Sequence, residues 1–260
     1  MNFTQLKYAI DNRVCEIVLA RPQKRNALND TLINELTDAF GQANKSQNVK
    51  VVVLTGSGTT FCAGADLEYL QKVLAFSLSE NQDDSRRLMK LYQLIFELRK
   101  PVIAKVNGPA LAGGCGLATV CDFVLASREH ALFGYPEVKI GFIPALVLVF
   151  LTRRIGEGKA RELVLSGKTI DASKALEMGL ATEVVSHDEL DSHTRRLADE
   201  LASGNSASSM ALTKEMLTSI HGMDFMQALE YAANMNAATR MTDDCKKGIA
   251  AFLKKEKITW

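Results

Sequence analysis

Two rhythms of apolar and polar positions run along this chain. Tyr8-Ala9-Ile10 and Val14 to Leu19, joined through Asp11-Asn12-Arg13, carry the short-period pattern of a β-hairpin. The period then lengthens: Leu32, Leu36 and Phe40 share one face of a helix, with Asn29 or Asp30 as its cap. Val51 to Leu54 is continuously apolar and predicts a buried strand, ending in Thr55-Gly56-Ser57-Gly58. Phe61 to Leu67 then leads through small residues into another helix. A mixed-charge surface segment, about Ser77 to Arg87, precedes an amphipathic helix marked by Leu88, Leu91, Leu94 and Ile95. Val102 to Val106 predicts a second buried strand, Leu117 to Val120 a helical segment, and Phe123 to Ala126 and Ala131 to Phe133 further strands. Strand, small-residue turn and helix recur in that order, which implies an α/β core with parallel pairing.

After Arg153 the strand signal survives only at Thr182 to Val185. Leu190 to Leu201, Ser206 to Ile220, Phe225 to Ala237 and Asp243 to Lys257 all read as helix. The shift near residue 200 divides the chain into an α/β core (1–200) and a helical C-terminal subdomain (201–260).

Composition narrows the classes. The 260 residues are 47% hydrophobic and 23% charged, with a net charge of +1, so no wholesale nucleic-acid footprint is indicated. The five cysteines include no C-x-x-C pair, and the four histidines (His130, His187, His193, His221) show no metal spacing, so no metal site is expected. Met1 to Gln5 lacks a leader pattern and no apolar run is long enough to span a bilayer, which makes a cytoplasmic protein the default. Gly56-Ser57-Gly58 lacks the rest of a dinucleotide fingerprint, and no Lys-Ser/Thr follows Gly113 as a phosphate loop would require. Cys115 reads as a small core residue, since no base lies beside it.

Chemistry concentrates in Asn107 to Gly116, where four glycines stand between a strand and a helix. Such a turn exposes backbone N–H groups to an anion or oxyanion; it is also consistent with a tight turn beneath the core. A similar turn, Ala63-Gly64-Ala65-Asp66, lies about fifty residues upstream, and two separately presented N–H donors are what an oxyanion hole needs. Glu137 follows Pro136 in apolar surroundings, where desolvation raises a carboxyl pKa towards neutrality. On chemistry alone, an ion-paired turn residue is the stronger reading of Glu137.

The segments Arg21-Pro22 through Asn29, Phe61 through Leu67, Asn107-Gly108 through Cys115, Tyr135-Pro136-Glu137, Gly141-Phe142-Ile143-Pro144 and Gly248 through Lys255 occur here in order. Together they resemble the crotonase (enoyl-CoA hydratase/isomerase) superfamily over nearly the whole chain. The resemblance implies a spiral of ββα units followed by helices that trimerise, often as a dimer of trimers. It implies an acyl-CoA substrate, with coenzyme A as part of that substrate and no separate cofactor. By position, the N–H groups of Ala65 and Gly113 would hold the thioester oxygen as it becomes an enolate, with Glu137 as acid and base. Lys24, Arg25 and Ala27 would lie along the CoA adenine and phosphates, and Ala63, Asp66, Leu67, Leu111 and Pro136 would contribute to the same binding surface. Phe252 and Lys255 would reach the nucleotide end of CoA, on a neighbouring subunit in some arrangements.

Departures from the pattern leave the reaction open. Hydratases of the family commonly carry a second glutamate just after the glycine turn; here that position is Gly116. Hydration needs a base for water and an acid for the α-carbon, whereas moving a double bond needs one group, as in the Δ3,Δ2-enoyl-CoA isomerases. Gain of hydration in Gly116→Glu would show that the missing acid limits that reaction. Ala145 to Phe150 is also bulkier than the glycine-rich turn often found there. Gly-Phe-Ile-Pro-Ala-Leu and Ala-Gly-Gly-Cys-Gly are similar to bacterial methylglutaconyl-CoA hydratase-like members, which would imply a carboxylated substrate from leucine breakdown. Two further readings are a CoA binder without catalysis and an RNA-binding relative using Lys246, Lys247, Lys254, Lys255 and Lys257.

Overall fold

The computed structural model describes residues 3–260; Met1 and Asn2 of the N-terminal stretch read above lie outside the described residues. The chain opens with the hairpin β1 (Leu6–Asp11) and β2 (Val14–Leu19), turned by Asn12 and Arg13 at positive φ. Helix α1 (Asp30–Lys45) starts where the Asn29 side chain accepts the Leu32 N–H, and it buries Leu32, Leu36 and Phe40 as its spacing requires. Strand β3 (Val51–Gly56), helices α2 (Leu67–Val73) and α3 (Leu78–Phe96), and strand β4 (Val102–Val106) follow. The expected surface segment after Ser77 is the first half of α3. Ser77 and Glu80 form a reciprocal capping box, so the helix begins before its apolar stripe does.

Next come β5 (Ala110–Leu111), α4 (Gly113–Thr119), β6 (Phe123–Ser127) and β7 (Leu132–Gly134). The glycine turn therefore supplies the first turn of α4, four residues ahead of the expected start. Helices α5 (Ala145–Ile155) and α6 (Glu157–Ser166), strand β8 (Thr169–Asp171), α7 (Ala172–Met178) and β9 (Glu183–Val185) complete the middle of the chain. The last four helices are α8 (His187–Gly204), α9 (Ala207–Ser219), α10 (Phe225–Thr239) and α11 (Asp243–Lys254).

Two sheets organise these elements. The larger has the order β1-β2-β3-β4-β6-β9, antiparallel only between β1 and β2. One face packs on α1, α3 and α4 through Ile17, Leu54, Phe40, Leu91 and their neighbours. The other face is covered by α8, whose Leu190, Ala198 and Ala202 meet Val51, Val53, Ile103 and Leu125. The boundary read at 200/201 falls inside α8, which still belongs to this core. The smaller sheet, β5-β7-β8, stands beyond the carboxyl end of β4. Neither α10 nor α11 buries a residue within the chain. No helix among the described residues is long and apolar enough to cross a membrane.

Candidate active site

Three short stretches run side by side here. Cys62 bridges Ala110 in parallel, and Ala110-Leu111 of β5 pairs in parallel with Phe133-Gly134 of β7. Moving two or three residues beyond the end of each stretch reaches Ala65, Gly113 and Glu137. The topology thus delivers the two candidate donors and the candidate acid from neighbouring strands at the same end.

Both donors are unengaged. Leu28 bridges Ala65, but its bonds are to Gly64 and Asp66: its N–H donates to the Gly64 carbonyl at 2.7 Å, and its carbonyl accepts the Asp66 N–H at 2.8 Å. The Ala65 N–H points away from that pairing, and no acceptor takes it among the described residues. Gly113 is the first residue of α4, so its N–H has no partner within the helix. The two turns touch: a Cβ on Gly64 would lie 2.9 Å from Ala112 Cβ and 3.7 Å from Gly113 N, and Gly64 has φ +91°. The only positive φ in the Asn107–Gly116 turn belongs to Ala112, at 48°.

Glu137 lies in a short 3-10 turn, Pro136–Ile140, and is 8% exposed. Its Oε2 is buried with no hydrogen-bond partner. Burial raises its pKa, opposed only by its own backbone N–H, and no cation offsets the shift. The ion-paired reading of Glu137 therefore does not describe this residue. Cys115 is fully buried and its thiol is pushed up to about 11, chiefly by burial, in keeping with a core role.

The loop from residue 21 to 29 closes one side. Arg21 pairs with Asp66 at 2.7 Å and also bonds the Ala27 carbonyl. Asn26, fully buried, donates to the Ser57 and Thr60 carbonyls and accepts the Arg21 N–H. Asp66 thus holds the turn and caps α2 through the Glu68 N–H, so its carboxylate is already committed. Lys24 and Arg25 are exposed beside it, with Lys24 paired to Glu68 at 2.5 Å. Ala27 is buried, Ala63, Leu111 and Pro136 are partly buried, and Leu67 is exposed on α2. Phe252 and Lys255 stand apart: α11 lies beside the amino ends of β2 and β3, where Trp260 accepts from Arg13. The structure does not bring them to Glu137 of the same chain.

The profile of the Enoyl-CoA hydratase/isomerase family matches residues 9–260. The chain belongs to this family. A Thermus thermophilus relative, provisionally assigned as an enoyl-CoA hydratase, is 40% identical over 242 residues, 93% of this chain and 95% of the relative. The mitochondrial enoyl-CoA hydratase of Pongo abelii is 36% identical over 251 residues, 96% and 84% of the two chains. A solved enoyl-CoA hydratase structure from Shewanella pealeana aligns at a TM-score of 0.94 and 30% identity, covering 99% of this chain and 96% of that one. The architecture is the crotonase fold.

Within the family fold, position 116 is sealed. A Cβ on Gly116 would lie 2.3 Å from Val147 Cγ1 and 2.6 Å from the Tyr92 hydroxyl. Gly116→Glu alone cannot be accommodated without moving both side chains, so a failure of that variant to hydrate would not by itself exonerate the missing acid. Tyr92, Val147, Arg21 and Asn26 were not among the residues that sequence reasoning selected. Arg21 and Asn26 lay inside a segment already noted, whereas Tyr92 sits on α3, far away in sequence and without a motif.

Proposed function

We propose that this protein is an acyl-CoA enzyme that moves a double bond by single-carboxylate proton transfer through a thioester enolate. The observation that carries the reading is Glu137, with a buried and unpartnered Oε2, following a strand paired beside the stretches that lead to two unengaged N–H donors. In this mechanism the thioester oxygen of a 3-enoyl-CoA accepts hydrogen bonds from Ala65 and Gly113. The Glu137 carboxylate removes a proton from C2, and the electron pair delocalises onto the oxygen as an enolate. The enolate collapses with protonation at C4 by the same Glu137, giving the 2-enoyl-CoA. Two donors aimed at a developing oxyanion in a dry site stabilise the transition state more than the ground state. A raised carboxyl pKa suits a group that must take and return a proton near neutral pH.

Lys24 and Arg25, exposed beside the turn, suit the phosphates of CoA. Hydration of a 2-enoyl-CoA is the second reading, favoured by the names of the relatives; Glu137 would then have to serve both water and the α-carbon.

The test is Glu137→Gln assayed on 3-enoyl-CoA and 2-enoyl-CoA. Turnover of the active substrate should fall about 10²- to 10⁴-fold. Unchanged turnover overturns the role of Glu137. Exchange of the α-proton of a bound acyl-CoA with solvent separates an active enzyme from a CoA binder. Salt-sensitive RNA binding without CoA affinity would favour the RNA-binding reading.

A further inference from the structure

The first turn of α4 has little stability of its own. Gly113, Gly114 and Gly116 fill three of its first four positions, and glycine is among the poorest helix formers. No side chain caps its N-terminus. Ala112 before it sits at φ 48°, ψ −126°, a glycine-type turn conformation that persists only where its surroundings enforce it. The turn must nevertheless aim the Gly113 N–H accurately.

Three contacts enforce it. The Ala112 N–H donates to the Gly134 carbonyl at 2.8 Å, and Gly114 is pressed so tightly on the Cys62 carbonyl that a Cβ there would lie 2.2 Å from its oxygen. The third contact is the Tyr92 hydroxyl, which donates to the Gly113 carbonyl at 2.7 Å. Among the described residues it is the only side chain from another element that hydrogen-bonds the backbone of this turn. The Tyr92 ring is fully buried on α3, with Phe150 edge-on at 6.1 Å, so it holds one position. Burial also keeps the phenol protonated, and therefore a donor, well beyond its ordinary range.

We propose that Tyr92 is a positioning residue for the Gly113 N–H, acting through the Gly113 carbonyl from the space an acid at position 116 would need. The inference rests on the enolate reading above. An N–H that loses its fixed direction weakens its bond to the compact charge of an enolate oxygen more than its bond to a ground-state carbonyl. The consequence falls on kcat and leaves KM nearly untouched.

Tyr92→Phe keeps the ring and removes only the donor. Its kcat and KM on the active enoyl-CoA should be measured beside the infrared carbonyl stretch of a bound saturated acyl-CoA carrying carbon-13 at C1. We expect kcat to fall about tenfold with KM within about twofold, and the downward carbonyl shift on binding to shrink relative to the parent. Unchanged kcat and carbonyl shift overturn the proposal, as does a loss confined to KM. Glu137→Gln serves as the reference, because it should lose turnover while keeping the full carbonyl shift. A parent protein with no carbonyl shift at all overturns the donor pair itself, and the role of Tyr92 with it.

Discussion

Glu137 carries a cost that the free protein should reveal. Burial raises its pKa above that of the same residue in an unfolded chain. The folded state therefore holds the proton more tightly, and the group adds most to stability below its unfolded pKa. That contribution is lost as pH rises through the folded value. Glu137→Gln removes the titration and retains the shape. The variant should melt above the parent near pH 8, with the gap closing as pH falls towards about 4. Calorimetry of both proteins across that range tests this; a gap independent of pH would mean that Glu137 titrates as an ordinary carboxyl. The same shift sets the acid limb of kcat/KM above the usual glutamate range, since catalysis begins with the carboxylate. The apolar residues around Pro136-Glu137 point to this rise in the sequence itself; what was not legible there is the lack of any ion partner, which excludes the ion-paired alternative only once the neighbours are packed. Gly116 is a similar case: its meaning depends on Tyr92 and Val147, which only the packing of α3 and α5 brings to it.

Elements were legible where burial imposed a period. The stripes of α1 and the apolar runs of β3, β4 and β6 could be read directly, since each faces a core on one or both sides. The Ala145 to Phe150 run was noted as apolar but not recognised as helix, because a short continuous run has no period to distinguish helix from strand. Strand β8 is three residues with little burial, too short to leave a pattern. What joins elements at the site was not legible either, and the Arg21–Asp66 pair shows why it matters. Its side chains are only 11% and 5% exposed, and it ties the loop after β2 to the N-terminus of α2. Burial alone would raise the Asp66 pKa, but bonds from Arg21 and the Glu68 N–H outweigh it and hold the carboxyl low. Arg21→Met leaves that carboxylate buried without its cation and should cost about 3–5 kcal/mol in urea unfolding near neutral pH. The pair stabilises above the unfolded aspartate pKa and stops doing so as pH falls through the lower folded value. The deficit should therefore shrink in acid, and adding Asp66→Asn should recover part of it.

At the scale of the molecule, the chain leaves an apolar face uncovered. Helices α10 and α11 bury nothing within it, and Phe225, Met226, Leu229, Ile249, Phe252 and Leu253 are all exposed, Phe252 by 82%. Apolar surface on this scale marks an interaction face. The trimer or dimer of trimers expected from the sequence would cover it, and light scattering should then give three or six times the chain mass of 28.5 kDa. Geometry adds a sharper consequence. Arg13 precedes β2 and bonds the Trp260 carbonyl, which fixes the C-terminal segment at the amino ends of the central strands. Ala65, Gly113 and Glu137 stand beyond the carboxyl ends. If Phe252 and Lys255 serve CoA, they serve a neighbour's site, and the two defects should complement. Glu137→Gln protomers keep a sound α11, whereas Lys255→Glu protomers keep a sound Glu137. Co-expressed, they form mixed assemblies in which some sites combine Glu137 from one chain with Lys255 from the next. Turnover at low substrate should then exceed the sum of the two separate variants. A simple sum would place Lys255 outside any shared site, even if the mass of the assembly is as expected.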